Sequence, residues 1–480
     1  MFRLSFRMGR KSLQLTNHTA SELLERLNSG SISAVEVADE VINKIGETGN
    51  LGAIAAFDPN AYRVQAEASD RRRAREEAGC LDGIPLVLKD NINTADLPTT
   101  GGTGALVGMI PAKDAPAAAA LRREGAILAA KAVMHELAFG ITSNNSVTGP
   151  ARNPYKPSMI PGGSSGGTAA AVSARQFPAG LGTDTGGSVR IPSALCGLIG
   201  FRPSVGRYDG EGVIPISNTR DTIGLIARSM ADIRLLDGVM ANRSASESKS
   251  RDVRSLRIGV PRTRLWENLE PGVEKLADDF MTRLAVEGVT FVEADFSEIW
   301  ELNDNTGFPV ALFEVMRNLP AYLEDAGYGV SFDDLLAGVG SPDVKGILSS
   351  QKGDEAMPEA AYRAAIEQHR PKMQQIYKDY FKNNRLDAVI FPTTPLTARP
   401  IGHDETVELN GNQEPTFPVF IRNTDVGSNI GAPGISLPMG LTSGLPAGIE
   451  LEGLPDGDDS LLIVAASVSR YLNDIPPPTL

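Results

Sequence analysis

A chain of 480 residues with 41% hydrophobic content can bury a large core, and its length alone suggests about three domains. The formal net charge is −13, and the densest basic run, Asp70 to Arg75, sits beside Glu76 and Glu77 as a solvated helix face, which argues against direct nucleic-acid binding. Two cysteines, Cys80 and Cys196, give neither a disulfide framework nor metal-ligand spacing and fit a reducing compartment.

From Met1 to Lys11 the chain alternates Arg and Lys with apolar residues but lacks the apolar run of roughly 7–15 residues that a signal peptide needs. With no stretch long enough to span a membrane, the expectation is a cytoplasmic protein with residues 1–14 as an N-terminal extension, Met8 being a second possible start. Thr19-Ala-Ser-Glu22 is a capping-box pattern ahead of Leu23, Leu24 and Leu27, and a second helix is predicted from Ser33, with Val37, Val41 and Ile45 on one face. Asp58 to Glu77 reads as a helix that stops at Ala78-Gly79. The apolar run Gly83-Ile-Pro-Leu-Val-Leu-Lys89 then reads as a strand delivering a lysine to its end. Pro116 to Glu124 is a predicted helix and Ala126 to Val133 a buried strand, followed by Met134, His135 and a loop from Ile141 to Pro157 rich in Ser, Asn, Thr, Gly and Pro. A long loop of this composition often lines a pocket. His135 reads as a pocket-wall or structural histidine rather than a proton carrier.

Further on, Val213 to Asp237 alternates strand and helix patterns and Ala241 to Asp252 has the polar composition of an exposed linker. Leu256 to Pro261, Val273 to Val286 and Val289 to Val292 form a βαβ pattern that argues for parallel sheet. Glu359 to Phe381 is helical in pattern, with Pro371 expected to kink it or begin a new helix. Leu386 to Pro392 reads as a buried strand.

The stretch from Ile160 to Arg207 carries most of the chemistry. Ser164 lies in Gly162-Gly-Ser-Ser-Gly-Gly167 and Ser188 in Gly186-Gly-Ser188. Paired glycines leave backbone N–H groups uncovered, so such loops bind negative charge. A P-loop is excluded because Thr168, not lysine, follows Gly167, and a dinucleotide fingerprint is excluded because Gly180-Leu-Gly182 runs into Thr-Asp-Thr. The remaining reading is acyl transfer, in which the charge is a transient oxyanion. The four histidines, His18, His135, His369 and His403, all lie outside this stretch, so Lys89 is the natural base: burial lowers a lysine's pKa and lets it act uncharged.

Lys89, the Gly-Gly-Ser-Ser-Gly-Gly run and Gly182-Thr-Asp-Thr-Gly-Gly-Ser-Val-Arg190 resemble the amidase signature family, as does the block from Asn429 to Gly448. The resemblance extends from about Leu15 to Leu472 and implies one large α/β domain over 15–480 in place of three. Its fold would be a central mixed, mostly parallel twisted sheet covered by helices on both faces. It also implies Ser188 as nucleophile, Ser164 as a bridging serine preceded by a cis peptide bond, and Lys89 as terminal base, with no metal and no cofactor. The N–H groups of Thr185, Gly186, Gly187 and Ser188 would form the oxyanion hole. Ser165 would donate to Lys89, and Asp184 and Arg190 would form a buried pair holding the loop.

Asn303 to Pro358 resembles the family's variable, substrate-facing part. Met134, His135, Phe313 and Met316 are the candidate pocket residues, with Phe308, Tyr322 and Tyr328 as further aromatic candidates. Within the family the sequence around Ser188 and Pro215 to Asp221 looks most like indoleacetamide and mandelamide hydrolases. The alternatives are an aryl acylamidase cutting anilides and the glutamine-hydrolysing subunit of a tRNA-dependent amidotransferase, against which Ile191 counts. The expected partner is a small-molecule amide, with no nucleic acid or membrane; a homodimer is compatible with the residues.

Overall fold

A computed structural model describes residues 14–243 and 250–480. The extension proper, 1–13, and residues 244–249 of the expected linker lie outside the described residues. In chain order the strands are β1 Ile54–Phe57, β2 Pro85–Lys89, β3 Ile127–Ala132, β4 Ala179–Asp184, β5 Ile199–Arg202, β6 Thr222–Ala227, β7 Arg257–Val260, β8 Thr290–Glu293, β9 Ala388–Pro392, β10 Thr406–Leu409, β11 Asn412–Pro415, β12 Gly434–Thr442 and β13 Leu445–Glu452. All except the β10–β11 hairpin join one sheet of 11 strands, ordered β1-β3-β2-β4-β6-β5-β12-β13-β9-β7-β8 and flanked by helices. This single α/β domain matches the expected class.

The sheet is mixed, but the expectation of mostly parallel pairing is corrected. Parallel neighbours are confined to β3-β2-β4 near one end and β9-β7-β8 at the other, while the middle from β4 through β13 to β9 is antiparallel. The physical reason is connection length. Ser443 and Gly444, both at positive φ (50° and 78°), form a two-residue turn that forces β12 and β13 into a hairpin, whereas parallel strands need a long crossover. The βαβ reading holds where it was made: β7 and β8 pair in parallel across the helix Pro271–Val286.

Local signals behave as their chemistry requires. Thr19 and Ser33 each close a capping box, with Glu22 and Glu36, at the starts of helices Ala20–Asn28 and Ala34–Glu47. At Pro371 the backbone passes through a π-turn, Ala365–His369, between helices Glu359–Ala364 and Arg370–Asn384. The proline has no N–H for the preceding turn, and the wider turn absorbs the mismatch. The strand β2 is buried on both faces throughout, as a central parallel strand must be. It sits between β3 and β4, with Val87 opposite Gly180 and Leu88 opposite Leu181, which puts its last residue, Lys89, beside the end of β4.

The helix Gly166–Ser173 is buried along its whole length, and small residues allow it to press onto β4. A Cβ at Gly182 would lie 2.6 Å from Ser165 Oγ, so any other residue there would push the serine loop off the sheet. A second apolar cluster, including Leu106, Leu137, Ile214, Val315 and Leu335, packs the helical insert that follows β8 against the loops above the strand ends.

Candidate active site

Lys89 is fully buried, and its Nζ lies 2.8 Å from Ser164 Oγ, 2.7 Å from Thr183 Oγ1 and 3.4 Å from Thr183 O. Burial lowers its pKa to about 7, against a smaller upward pull from Asp184 and Asp221. The amine is therefore substantially uncharged at neutral pH. A cis peptide bond joins Gly163 to Ser164.

Ser165 does not reach Lys89. Its hydroxyl donates to Thr183 O (3.2 Å) and accepts from Thr183 N–H (3.3 Å), so the edge of β4 is what it holds, and Thr183 in turn holds the amine. Asn91 Nδ2 donates to the same Thr183 hydroxyl at 3.1 Å. Neither Thr183 nor Asn91 was among the sequence candidates. Asn91 stands two residues beyond Lys89 in the same motif, but the role of Thr183 depends on the register between β2 and β4, which the sequence does not state.

The loop that carries Ser188 begins where β4 ends. Ser188 is buried apart from its face on a cavity of about 300 Å³, and its carbonyl accepts from Ser165 N–H at 3.2 Å. Among the described residues no hydrogen bond joins Ser164 Oγ to Ser188 Oγ; hydrogen bonds of this kind are often long before substrate binds. Asp184 shapes the loop, accepting from Gly187 N–H (2.8 Å) and Val189 N–H (3.1 Å). The Gly187 N–H is thus committed to Asp184 and is not free for an oxyanion, a correction to the four-donor expectation. Gly187 has φ 137°, and a Cβ there would strike Thr424 Oγ1 at 2.3 Å. Thr185 Oγ1 donates to Asp221 Oδ1 at 2.6 Å, and Asp221 Oδ2 accepts from Ile216 and Ser217 N–H.

Asp184 and Arg190 form the expected buried pair, with Nε and Nη2 both 3.1 Å from the carboxylate. The pair belongs to a larger network that sequence reasoning missed. Arg202 Nη1 donates to Asp184 Oδ1 (2.8 Å), and Arg190 Nη1 donates to Glu450 Oε1 (2.5 Å) with Glu452 3.9 Å away. Burial pushes the Asp184 pKa up, but the two guanidinium groups outweigh it and hold the carboxyl well below the usual range. Burial also raises the pKa of Glu450 and, reinforced by the charge of Glu450, that of Glu452; Glu452 accepts from Tyr377 O–H at 2.6 Å. These carboxylates sit on β13, far along the chain from the motif they support.

The cavity is walled by Ile216, Phe308, Leu312, Ile347, Phe417 and Ile421, with His135 on one side. Of the four predicted pocket residues only His135 lines it, its Nε2 3.0 Å from Asp343 Oδ2. Met134 is buried behind Gly102 and Asn145. Phe313 turns away to stack on Tyr362 (4.2 Å between centroids), and Met316 packs into the insert's own apolar cluster. The helix Gly307–Ala326 does face the cavity, with the expected Phe308 and with Ala311 and Leu312; burial spread over more than one face of this helix left the phase of the rest unreadable from the sequence. Tyr322 instead donates to Asn93 Oδ1 at 2.8 Å.

The amidase family model matches residues 36–462. The chain is 43% identical over 462 residues to an indoleacetamide hydrolase of Rhizobium radiobacter, covering 95% of this chain and 98% of that one. It is 40% identical to a mandelamide hydrolase of Pseudomonas putida, covering 97% and 93%. A solved peptide amidase from Stenotrophomonas maltophilia superposes with a TM-score of 0.83 at 26% identity, over 98% of this chain and 99% of that one. On sequence, fold and site geometry together, the chain belongs to the amidase family and is an enzyme that hydrolyses amide C–N bonds.

Proposed function

We propose that the protein hydrolyses a primary amide of an aryl or arylacetic acid to the carboxylate and ammonia through an acyl-enzyme on Ser188. The observation that carries this reading is the 2.8 Å approach of a buried Lys89 amine, its pKa lowered to about 7, to Ser164, beside a cavity onto which Ser188 opens. Lys89 takes the proton of Ser164, Ser164 takes that of Ser188, and Ser188 Oγ adds to the carbonyl carbon. The two N–H bonds of a neutral amine can be occupied by Thr183 Oγ1 and O, which leaves the nitrogen lone pair for the Ser164 hydroxyl. The proton then returns along the same path to the departing nitrogen as the C–N bond breaks. Water repeats the cycle on the ester and releases the acid.

In this scheme the N–H groups of Thr185, Gly186 and Ser188 receive the oxyanion, each worth about 3 kcal/mol. Asp184 and Arg190 act by shaping the loop that presents them. The apolar walls, and relatives named for indoleacetamide and mandelamide, support an aromatic acyl group. Free thiols at Cys80 and Cys196, together with the absence among the described residues of any helix long and apolar enough to cross a membrane, support the cytoplasmic reading.

The test is ammonia release from phenylacetamide and indoleacetamide, with an anilide and glutamine for comparison and Ser188→Ala as control. A fluorophosphonate should label Ser188 in the wild type. Turnover by Ser188→Ala, or a preference for glutamine, would remove the proposal.

A further inference from the structure

The charges on the walls of the cavity are unequal. Its lining holds three carboxylates, Asp343, Asp404 and Asp425, against the guanidinium of Arg220 and the imidazole of His135. Arg220 is already engaged. It pairs with Asp425 Oδ1 and donates from Nη1 to Gly307 O at 2.8 Å, while its Nε, though unpartnered, is sealed from the cavity.

The other two carboxylates keep most of their charge in play. Among the described residues Asp404 accepts only from neutral donors, Thr142 Oγ1 at 2.8 Å and Asn144 Nδ2 at 2.6 Å. Asp343 meets His135 Nε2, and its side chain is 45% exposed. With His135 neutral the lining carries one positive and three negative charges; with it protonated, two and three. In either state negative charge is left over.

An anionic substituent entering such a space loses water, finds no unpaired cation among the described lining residues, and meets like charge on polar walls. A cation or a neutral N–H or O–H donor finds acceptors instead, and the hydrocarbon part of any of them packs on Phe308, Phe417 and Ile347.

We propose that this cavity sorts amides by charge, admitting uncharged and cationic acyl groups and excluding anionic ones, with Asp343 and Asp404 as the residues that set the preference. The proposal rests on the arylacetamide reading of the same site. It excludes acyl groups bearing a free carboxylate whether the rest of the molecule is aromatic or not.

The test uses the purified full chain at pH 8 and low salt with phenylacetamide and its 4-acetyl, 4-carboxy and 4-aminomethyl derivatives. The acetyl compound is a neutral match in size for the carboxylate. The ratio of kcat/KM for 4-acetyl over 4-carboxy should be at least 10, equivalent to about 1.4 kcal/mol. The 4-aminomethyl compound should stay within tenfold of 4-acetyl. In Asp343→Asn and Asp404→Asn the acetyl-to-carboxy ratio should fall at least threefold in one or both.

A wild-type ratio below 10, equal rejection of the cation, or ratios that move less than threefold in both variants would overturn the proposal. Failure to hydrolyse phenylacetamide at all would instead defeat the reading of the site on which it depends. Asp343 is half exposed on the helix Pro342–Ser350, so its variant reports even if Asp404→Asn disturbs the 142–144 loop.

Discussion

Replacing Lys89 by Met should abolish turnover and yet change stability in a pH-dependent way that exposes the state of the lysine. Folding lowers its pKa from 10.5 to about 7, so between those values the unfolded chain binds more protons than the folded one and wild-type stability rises with pH. The penalty for holding this lysine in place is fully present below about pH 7 and is gone above its unfolded pKa. At 1.36 kcal/mol per unit it approaches 5 kcal/mol at pH 6 and about 2 kcal/mol at pH 9. Met fills the same space without titrating, and its loss of contacts to Ser164 and Thr183 is nearly independent of pH. The stability of Lys89→Met relative to wild type should therefore fall by about 3 kcal/mol between pH 6 and pH 9. Urea unfolding of both proteins at the two pH values measures this, because groups that titrate in both cancel in the difference. A difference that does not change with pH would show that Lys89 is not held uncharged, and the proton path through Ser164 would lose its driving group.

The same lysine sets the acid limb of activity: kcat/KM should fall tenfold per pH unit below about 7, since protonated Lys89 cannot accept from Ser164, and an initial-rate profile from pH 5 to 9 locates the midpoint. Thr183→Val removes the hydroxyl that holds both Lys89 Nζ and Asn91 Nδ2, and kcat should drop by about 10–100-fold with the acid limb displaced, read from the same profile. Arg190→Met takes from Glu450 its guanidinium partner and leaves Asp184 with Arg202 alone, and should cost about 3–5 kcal/mol in urea unfolding at pH 7, a loss partly recovered at lower pH as Glu450 takes up a proton. Phe308→Ala opens the apolar wall, so KM for arylacetamides should rise several-fold with kcat little changed in steady-state assays.

What the sequence made legible follows from how local each signal is. The three proposed catalytic side chains stand in short motifs whose glycines and flanking strand pattern identify them without any knowledge of neighbours, and capping boxes at Thr19 and Ser33 mark helix starts because the residues that cap lie three positions apart. Thr183 was not legible as a partner of Lys89 because its contact is set by the register of two strands nearly a hundred residues apart. Glu450 and Glu452 were hidden for the same reason, and the alternation of polar and apolar residues along β13 gives no sign that the polar ones point inward. The pocket fared worst. Phe313 and Met316 lie on the correct helix but on the wrong side of it, since an apolar helix buried on several faces has no single stripe to read.

The link from Arg190 to Glu450 ties the loop around Ser188 to the last of the described strands. A polypeptide still being synthesised, or one cut before β13, has the whole glycine-serine signature and none of the carboxylates that fix Arg190 from that side. Such a chain should therefore be chemically silent toward a fluorophosphonate until its final hairpin is in place. Competence would then wait for β13, and the proposed nucleophile would stay out of use until that strand has paired.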